Sequence, residues 1–268
     1  MCPSTTSLTD SDVEQFARDG AILLKGAFKG WVDRLRRGVD DLMKNPSPLE
    51  RSYHPKGDAA PFFQDLCNWQ RFDDFRNFVF ESPAAEMAAR LMNSKTARFF
   101  HDHVLVKEPG TSVVTPWHQD LPYYCVEGQQ CVSFWIPLDD VPREISLECI
   151  GGSHHWQIHK PKRFDGTDLY AEDTKVEMPD IDNNRDKYTI LGWAMEPGDA
   201  VAFDFRTVHG ASANKGKANR RRVFSARWVG DDAVFADRKG KGSPPFKHLT
   251  LKDGEKLYGP DFPVVYTA

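Results

Sequence analysis

Two short stretches hold residue types able to bind a transition metal. Trp117-His118-Gln119-Asp120 supplies an imidazole and a carboxylate two positions apart, and Thr207-Val208-His209-Gly210 supplies a second imidazole far downstream. Two imidazoles and one carboxylate on one face of a metal are the facial triad of non-haem iron(II) oxygenases, with positions left open for a bidentate cosubstrate and dioxygen. Residues i and i+2 of a strand share a face. His118 and Asp120 are therefore expected to reach one metal from an extended segment, which Pro116 favours. Gly210 lets the backbone crowd the site. Spacing alone leaves open a reading of three unrelated polar contacts.

His101-Asp102-His103 is the rival. His101 and His103 also share a strand face, as in a cupin-like metal site. His154 and His155 follow a Gly-Gly-Ser turn and read as loop residues. Downstream of His209, Arg220, Arg221 and Arg222 lead into Val223–Trp228. Alternation puts Arg221, Val223, Ser225 and Arg227 on one face, and Arg222, Phe224, Ala226 and Trp228 on the other. One inward guanidinium would grip the distal carboxylate of a dicarboxylate through paired hydrogen bonds. Parity leaves open which arginine faces in.

The elements that must position these groups change character along the chain. Thr9 reads as a helix N-cap with Asp12 three residues on, and Gly20 as its stop. Ala21–Leu24 reads as a short strand. Trp31, Leu35, Val39 and Leu42 recur at helical spacing. Ser82-Pro83 opens a helix whose apolar face is Ala84, Met87, Ala88 and Leu91. The front part, residues 1–95, is expected to be largely helical. Beyond it, Phe99–Lys107, Val132–Leu138, Ala200–Phe205 and Val223–Val229 read as strands between turns such as Gly151-Gly152-Ser153 and Pro197-Gly198-Asp199. Strands at this density predict a jelly roll. The expected organisation is a single domain over 1–268, with a jelly-roll core over 96–232, a polar insert or lid over 157–189 and a C-terminal extension over 233–268.

Composition narrows the partners. A formal net charge of -4 over 268 residues argues against a nucleic-acid surface, despite the basic run Lys215–Arg222. No run of about 18 apolar residues suggests a membrane span, and Met1–Leu8 lacks a signal-peptide core. Five cysteines without CxxC spacing fit a reducing, cytoplasmic compartment. A small-molecule substrate is expected. No oligomeric state follows from the pattern.

The motifs together resemble the phytanoyl-CoA dioxygenase (PhyH) family of iron(II)- and 2-oxoglutarate-dependent oxygenases. Leu8–Phe16 with Asp19–Leu24 resembles the family's opening helix and strand, Trp117–Asp120 its metal motif, and Gly151–His154 its PGSH turn. Pro197-Gly198-Asp199 with His209-Gly210 resembles its distal histidine segment. The resemblance implies a double-stranded β-helix (a cupin-like jelly roll) with flanking helices, and Fe(II), 2-oxoglutarate and O2 as cofactor and cosubstrates. It implies His118, Asp120 and His209 as iron ligands and catalytic centre, and Arg221 as the anchor of 2-oxoglutarate, with Arg220 as the alternative. Thr115 and Trp135 match cosubstrate-pocket positions. His103 lies where some members place another cosubstrate ligand, and Ser225 is placed to orient Arg221.

The implied reaction is hydroxylation of an unactivated C–H bond with release of succinate and CO2. Asp120 stands where related halogenases carry a small residue that admits chloride. Tyr123, Tyr124 and Lys107 are substrate-wall candidates, Lys107 toward an anionic group. The acidic stretch Glu172–Asp186 points instead to a cation, so only a small polar or amphiphilic metabolite is named. Gly151, Glu144-Ile145 and Ala211 depart from the family pattern around the turn and after the distal histidine. Two alternatives remain. One is a non-catalytic jelly-roll binding protein. The other is a cupin-like metalloenzyme that uses His101 and His103 without 2-oxoglutarate.

Overall fold

The computed structural model describes residues 8–57, 61–163, 166–170, 175–214, 220–239 and 241–268. The tail before Leu8, the front of the basic run (215–219) and Glu172 and Asp173 of the acidic stretch lie outside the described residues. Helix α1 (Asp10–Asp19) starts at the reciprocal cap expected of Thr9 and Asp12: the Thr9 hydroxyl accepts from the Asp12 N–H, and the Asp12 carboxylate accepts from the Thr9 N–H. Gly20 ends it in the left-handed region, at φ 72°. Helix α2 (Val32–Lys44) buries Leu35, Val39 and Leu42, the stripe read from spacing. Helix α3 (Asp73–Glu81) was not legible in the sequence, and α4 (Ala84–Leu91) begins just after Pro83.

The strands are β1 (Ala21–Leu24), β2 (Phe62–Leu66), β3 (Thr96–Lys107), β4 (Thr115–His118), β5 (Val126–Glu127), β6 (Cys131–Pro137) and β7 (Leu147–Ile150). They continue with β8 (Ile190–Gly192), β9 (Ala200–Phe203), β10 (His209–Ala211), β11 (Arg221–Val229), β12 (Val234–Phe235) and β13 (Val264–Thr267). The larger sheet runs β1-β9-β6-β11-β3-β13, with β2 also paired to β3. The smaller sheet runs β4-β10-β7-β8. All pairings are antiparallel. Two such sheets facing each other form the double-stranded β-helix, a mainly β fold with flanking helices. The front part is less helical than its pattern suggests: β2 lies within it and extends the main sheet. Its burial on every residue hides the alternation that would have revealed it.

The helices fix which face of β11 turns inward. Phe75 and Phe78 of α3 pack against Phe224 at ring separations of 4.8 and 5.3 Å, and Trp228 meets Phe99 at 4.9 Å. Burying each such ring is worth about 1.5–3 kcal/mol. A one-residue slip would move the whole row to the wrong face. Arg221, Val223, Ser225 and Arg227 consequently point between the sheets. No described helix is long and apolar enough to cross a membrane.

The N-terminal elements also brace the inner site. The Gly20 carbonyl accepts from the Thr207 hydroxyl at 2.7 Å, and the Thr207 carbonyl lies 2.9 Å from His209 Nδ1. A Cβ on Gly20 would sit 2.3 Å from His154 Nδ1 and 2.7 Å from Thr207 Oγ1. Gly20→Ala should therefore lose ~1–3 kcal/mol of stability in urea unfolding, the range for forcing a side chain into a strained backbone. An unchanged unfolding midpoint and slope would show that this brace bears no strain.

Candidate metal centre

Strand pairing brings the two distant motifs together. His118 and His209 are direct partners in the β4–β10 register, and their rings lie 4.2 Å apart. His118 Nδ1 is 2.8 Å from the Pro116 carbonyl, and His209 Nδ1 2.9 Å from that of Thr207. Each contact fixes a tautomer with the proton on Nδ1 and leaves the Nε2 lone pair free. Asp120 Oδ1 is 3.5 Å from His118 Nε2 and 3.8 Å from His209 Nε2. Among the described residues this is the one group of three such side chains whose donor atoms lie close enough, within 4.8 Å, to hold an ion. The donor set, two imidazole nitrogens and one carboxylate oxygen, fits iron(II).

The route to this geometry differs from the expected one. β4 stops at His118, and Asp120 has φ -75° and ψ -39°, helical rather than extended. The carboxylate reaches the histidines because the chain turns into the 3-10 segment Leu121–Tyr123, with the Asp120 and Leu121 N–H groups both donating to the Phe205 carbonyl. Tyr123 and Tyr124 accordingly lie at the end of this turn, not on a strand. Gln119 has its own task, bonding the Arg206 carbonyl through Nε2 and the His159 N–H through Oε1 at 2.8 Å each. It pins the insert to the metal loop. Ser153 does the same for the distal motif: its hydroxyl donates to the Ile150 carbonyl and accepts from the Val208 N–H. His154, beside it, contacts the Ala17 carbonyl and takes no part in the centre.

Burial shapes the charges. Burial alone would raise the Asp120 carboxyl, but the Arg227 cation and the contact with His118 outweigh it and hold the group well below the usual carboxylate range. Burial, then repulsion from His118, lowers His209 to about 4, so its imidazole is neutral at pH 7 and ready to coordinate. Burial, then Arg227, pushes His103 down to about 3.

The triad opens on a cavity of about 670 Å³. Arg221 lines it, 4% exposed, stacked over Trp135 at 5.9 Å and donating to the Ile145 carbonyl. Directly opposite Arg221 in the β3–β11 register is Lys107, fully buried in the same wall. Its ammonium bonds the Val113 carbonyl at 2.7 Å and the Thr115 hydroxyl at 3.3 Å. Neither cation has a carboxylate partner among the described residues, whereas Arg220 is exposed and paired with Glu108, and Arg222 is paired with Asp139. Burial, then the charge of Arg221, pushes Lys107 down to about 6, and burial lowers Arg221 to about 10. Like charges face to face are destabilising, and this repulsion adds to burial in lowering Lys107.

Other expected residues are distributed less evenly. Thr115, Trp135, His103, Tyr123 and Tyr124 all line the cavity. Ser225 is buried, yet its hydroxyl has no hydrogen-bond partner, so the expected contact orienting Arg221 is not formed. His101 is buried with both ring nitrogens unpartnered. It packs edge-on against Tyr124 and belongs to no group of donors able to hold an ion among the described residues. Arg227 was overlooked as a site residue, although a cation inside an apolar strand, in parity with Arg221, is a visible signal. Arg51 and Lys241, which also line the cavity, come from loops that carry no motif.

A family model described as phytanoyl-CoA dioxygenase (PhyH) matches residues 16–223. Among solved structures, the chain is similar to SnoK, a non-heme alpha-ketoglutarate-dependent carbocyclase from nogalamycin biosynthesis, at 22% identity and a TM-score of 0.76 over 98% of each chain. It is similar to the epimerase SnoN in complex with Fe3+, alpha-ketoglutarate and nogalamycin RO, at 21% identity and a TM-score of 0.72, over 94% of this chain and 96% of that one. EvdO2 from Micromonospora carbonacea var. aurantiaca, complexed with 2-oxoglutarate, matches at 20% identity and 0.64, over 87% and 94%. At these identities the likeness establishes the fold.

If the triad is the metal site, His118→Ala, Asp120→Ala and His209→Ala should each weaken Co(II) or Fe(II) binding by about 100-fold or more, beyond the 10–100-fold of a lost outer contact. His101→Ala should not. Competition against a chromophoric chelator measures all four, and a His101→Ala variant that alone lost the metal would move the site to the rival pair.

Proposed function

Starting from the fact that the chain belongs to the phytanoyl-CoA dioxygenase family, and is an iron- and 2-oxoglutarate-dependent oxygenase, we propose that it hydroxylates an unactivated C–H bond of a small polar or amphiphilic metabolite. When bound, iron(II) and 2-oxoglutarate supply oxidising power from dioxygen, with succinate and CO2 as by-products. In this reading His118, Asp120 and His209 hold the iron. Arg221 and Lys107 take the distal carboxylate of 2-oxoglutarate, helped by the Thr115 hydroxyl, with Trp135 as the wall beneath. The carrying observation is that two buried basic side chains, neither with a carboxylate partner among the described residues, face each other in the same cavity as the only triad of donors among those residues. Each half matches one half of a metal-chelated dicarboxylate.

The substrate end of the cavity supports an anionic group on the metabolite. The acids that line it already have partners: Glu177 binds Lys160 and Lys162, Asp182 binds the Trp117 indole and Arg185, and Asp180 binds Asn183. Arg51 and Lys241 line the same cavity and form no side-chain ion pair among the described residues. The described acids of this lining are therefore already engaged, and among the described residues Arg51 and Lys241 remain for a ligand. Tyr123 ties the insert to the metal loop, its hydroxyl donating to the Lys162 carbonyl at 2.7 Å and accepting from its N–H at 2.9 Å.

Because SnoK and SnoN are titled a carbocyclase and an epimerase, ring closure or epimerisation is the second reading of the outcome. An anaerobic titration with iron(II) and 2-oxoglutarate should give a weak visible charge-transfer band. Oxygen-dependent succinate release should then accelerate with carboxylated or phosphorylated metabolites more than with cationic ones. Product mass decides the outcome: hydroxylation adds one oxygen atom from labelled dioxygen. No band and no succinate with any metabolite would leave the non-catalytic binding protein and the cupin-like metalloenzyme that works without 2-oxoglutarate.

The cation pair makes the cosubstrate step pH-dependent. Lys107 starts near 6 in the empty cavity, and a neighbouring carboxylate raises it. Binding therefore takes up a proton above that pH. The Kd of 2-oxoglutarate should be lowest below about 6 and rise with pH, by up to about tenfold per unit, until the raised value of the complex is reached. Lys107→Met should flatten this slope in anaerobic titrations at several pH values. A slope retained in Lys107→Met would assign the proton to another group.

A further inference from the structure

We propose that Arg227 is a positioning residue for the metal-binding carboxylate, holding Asp120 so that only its Oδ1 faces the two imidazoles. The inference rests on the reading of His118, Asp120 and His209 as the iron site. The two oxygens of Asp120 have different surroundings. Oδ1 lies 3.5 and 3.8 Å from the Nε2 atoms of His118 and His209. Oδ2 lies 3.5 Å from Arg227 Nε and makes no hydrogen bond of ordinary length. Arg227 and Asp120 are each 5% exposed, and Asp120 is the only carboxylate paired with Arg227 among the described residues.

The guanidinium is itself held from several sides. Its Nε donates to the Tyr124 hydroxyl, its carbon lies 5.5 Å from the centre of the Tyr124 ring, and Nη1 is 3.5 Å from the Ser225 carbonyl. Its backbone is locked between β3 and β6, opposite His101 and Ser133. Tyr124 continues from the turn that carries Asp120, so one short segment supplies both the carboxylate and the hydroxyl that steadies its counter-charge. A charge pair buried this deeply gains strength from the low local dielectric.

The consequence concerns the number of open metal positions. A carboxylate bound through one oxygen leaves three positions of an octahedral ion for other ligands, whereas chelation through both oxygens removes one. A cation beside Oδ2 competes with the metal for that oxygen and favours single attachment. It also repels the metal, so its role is to set how the carboxylate binds rather than to strengthen metal binding. Arg221 and Arg227 thus act at two ends of one strand face. Arg221 addresses the far carboxylate of the cosubstrate, and Arg227 keeps a coordination position free for its near end.

The test compares Arg227→Met, which preserves much of the bulk, with Arg227→Lys, which preserves the charge, and with Tyr124→Phe. Co(II) affinity, the Co(II) absorption spectrum and anaerobic 2-oxoglutarate affinity are read on each full-length protein, with thermal unfolding as a control. In Arg227→Met, Co(II) affinity should change by less than about threefold, while 2-oxoglutarate affinity falls at least about tenfold and the absorption bands shift. Arg227→Lys should recover most of both, and Tyr124→Phe should show a smaller change in the same direction. Wild-type bands and 2-oxoglutarate affinity in Arg227→Met overturn the proposal. So does equal loss of metal in the Met and Lys variants, which would mark Arg227 as a scaffold residue. If wild-type protein binds no metal, or His118→Ala binds it unchanged, the iron-site reading itself has failed, and that result is separate.

Discussion

The antiparallel pairing of β4 with β10 is the constraint on which the centre depends. It sets His118 opposite His209, and no side-chain adjustment could replace it, since the two residues are far apart along the chain. Everything around this pairing reinforces it. β10 is also bonded to β7, where His209 stands opposite Cys149. The Phe205 carbonyl collects the Asp120 and Leu121 N–H groups, so the loop before β10 positions the turn after β4. A Cβ on Gly210 would come within 3.1 Å of the Thr115 carbonyl and 3.3 Å of the Trp117 ring. The small residue after the histidine therefore lets the two strands close. The metal donors are converged by backbone bonds before any metal is considered, which is the preorganisation a three-ligand site requires.

Charge is distributed inside the barrel with the same economy of partners. A buried basic group without a counter-ion is costly, and the wall between the sheets holds Arg227, Arg221 and Lys107. Arg227 is compensated internally by Asp120. Arg221 and Lys107 have no carboxylate partner among the described residues, and they lie across from each other on neighbouring strands. Arg220, just before β11, and Arg222 on it show the contrast: they are neutralised by Glu108, Asp40 and Asp139. Sequence neighbours thus differ in role because β-strand parity sends them to different dielectric surroundings.

That parity explains what could be read from the sequence. The alternation over Arg221–Trp228 separated the two faces correctly, but could not say which was inside. The answer came from Phe75 and Phe78 of α3, a helix with no capping side chain to mark its start. The cap at Thr9, the stop at Gly20 and the stripe of α2 were legible because each depends on local chemistry. The conformation of Asp120 was not. An i, i+2 pair suggests an extended strand, and only the tertiary bond to Phe205 reveals that the chain has already turned. β2 escaped notice for a related reason: burial on both faces erases the period-two signal. That Arg51 and Lys241 have no ion-pair partner among the described residues was equally hidden, since it depends on which acids the folded loops satisfy.

The division between strands and loops also bears on how one scaffold can serve different reactions. The metal donors and the cation pair are carried by strands, or by a turn bonded directly to them, and their geometry is fixed by register. The rest of the cavity lining is built differently. Glu177, Asp180 and Asp182 come from the insert, Lys241 from the C-terminal extension, and Arg51 from the loop before β2. Such segments tolerate replacement without disturbing the sheets. Gln119 and Tyr123 are where the two systems join, because each bonds the insert from within the metal loop. A change in the insert would therefore act on the cavity lining and on the metal loop together, while the register that pairs His118 with His209 stays in place.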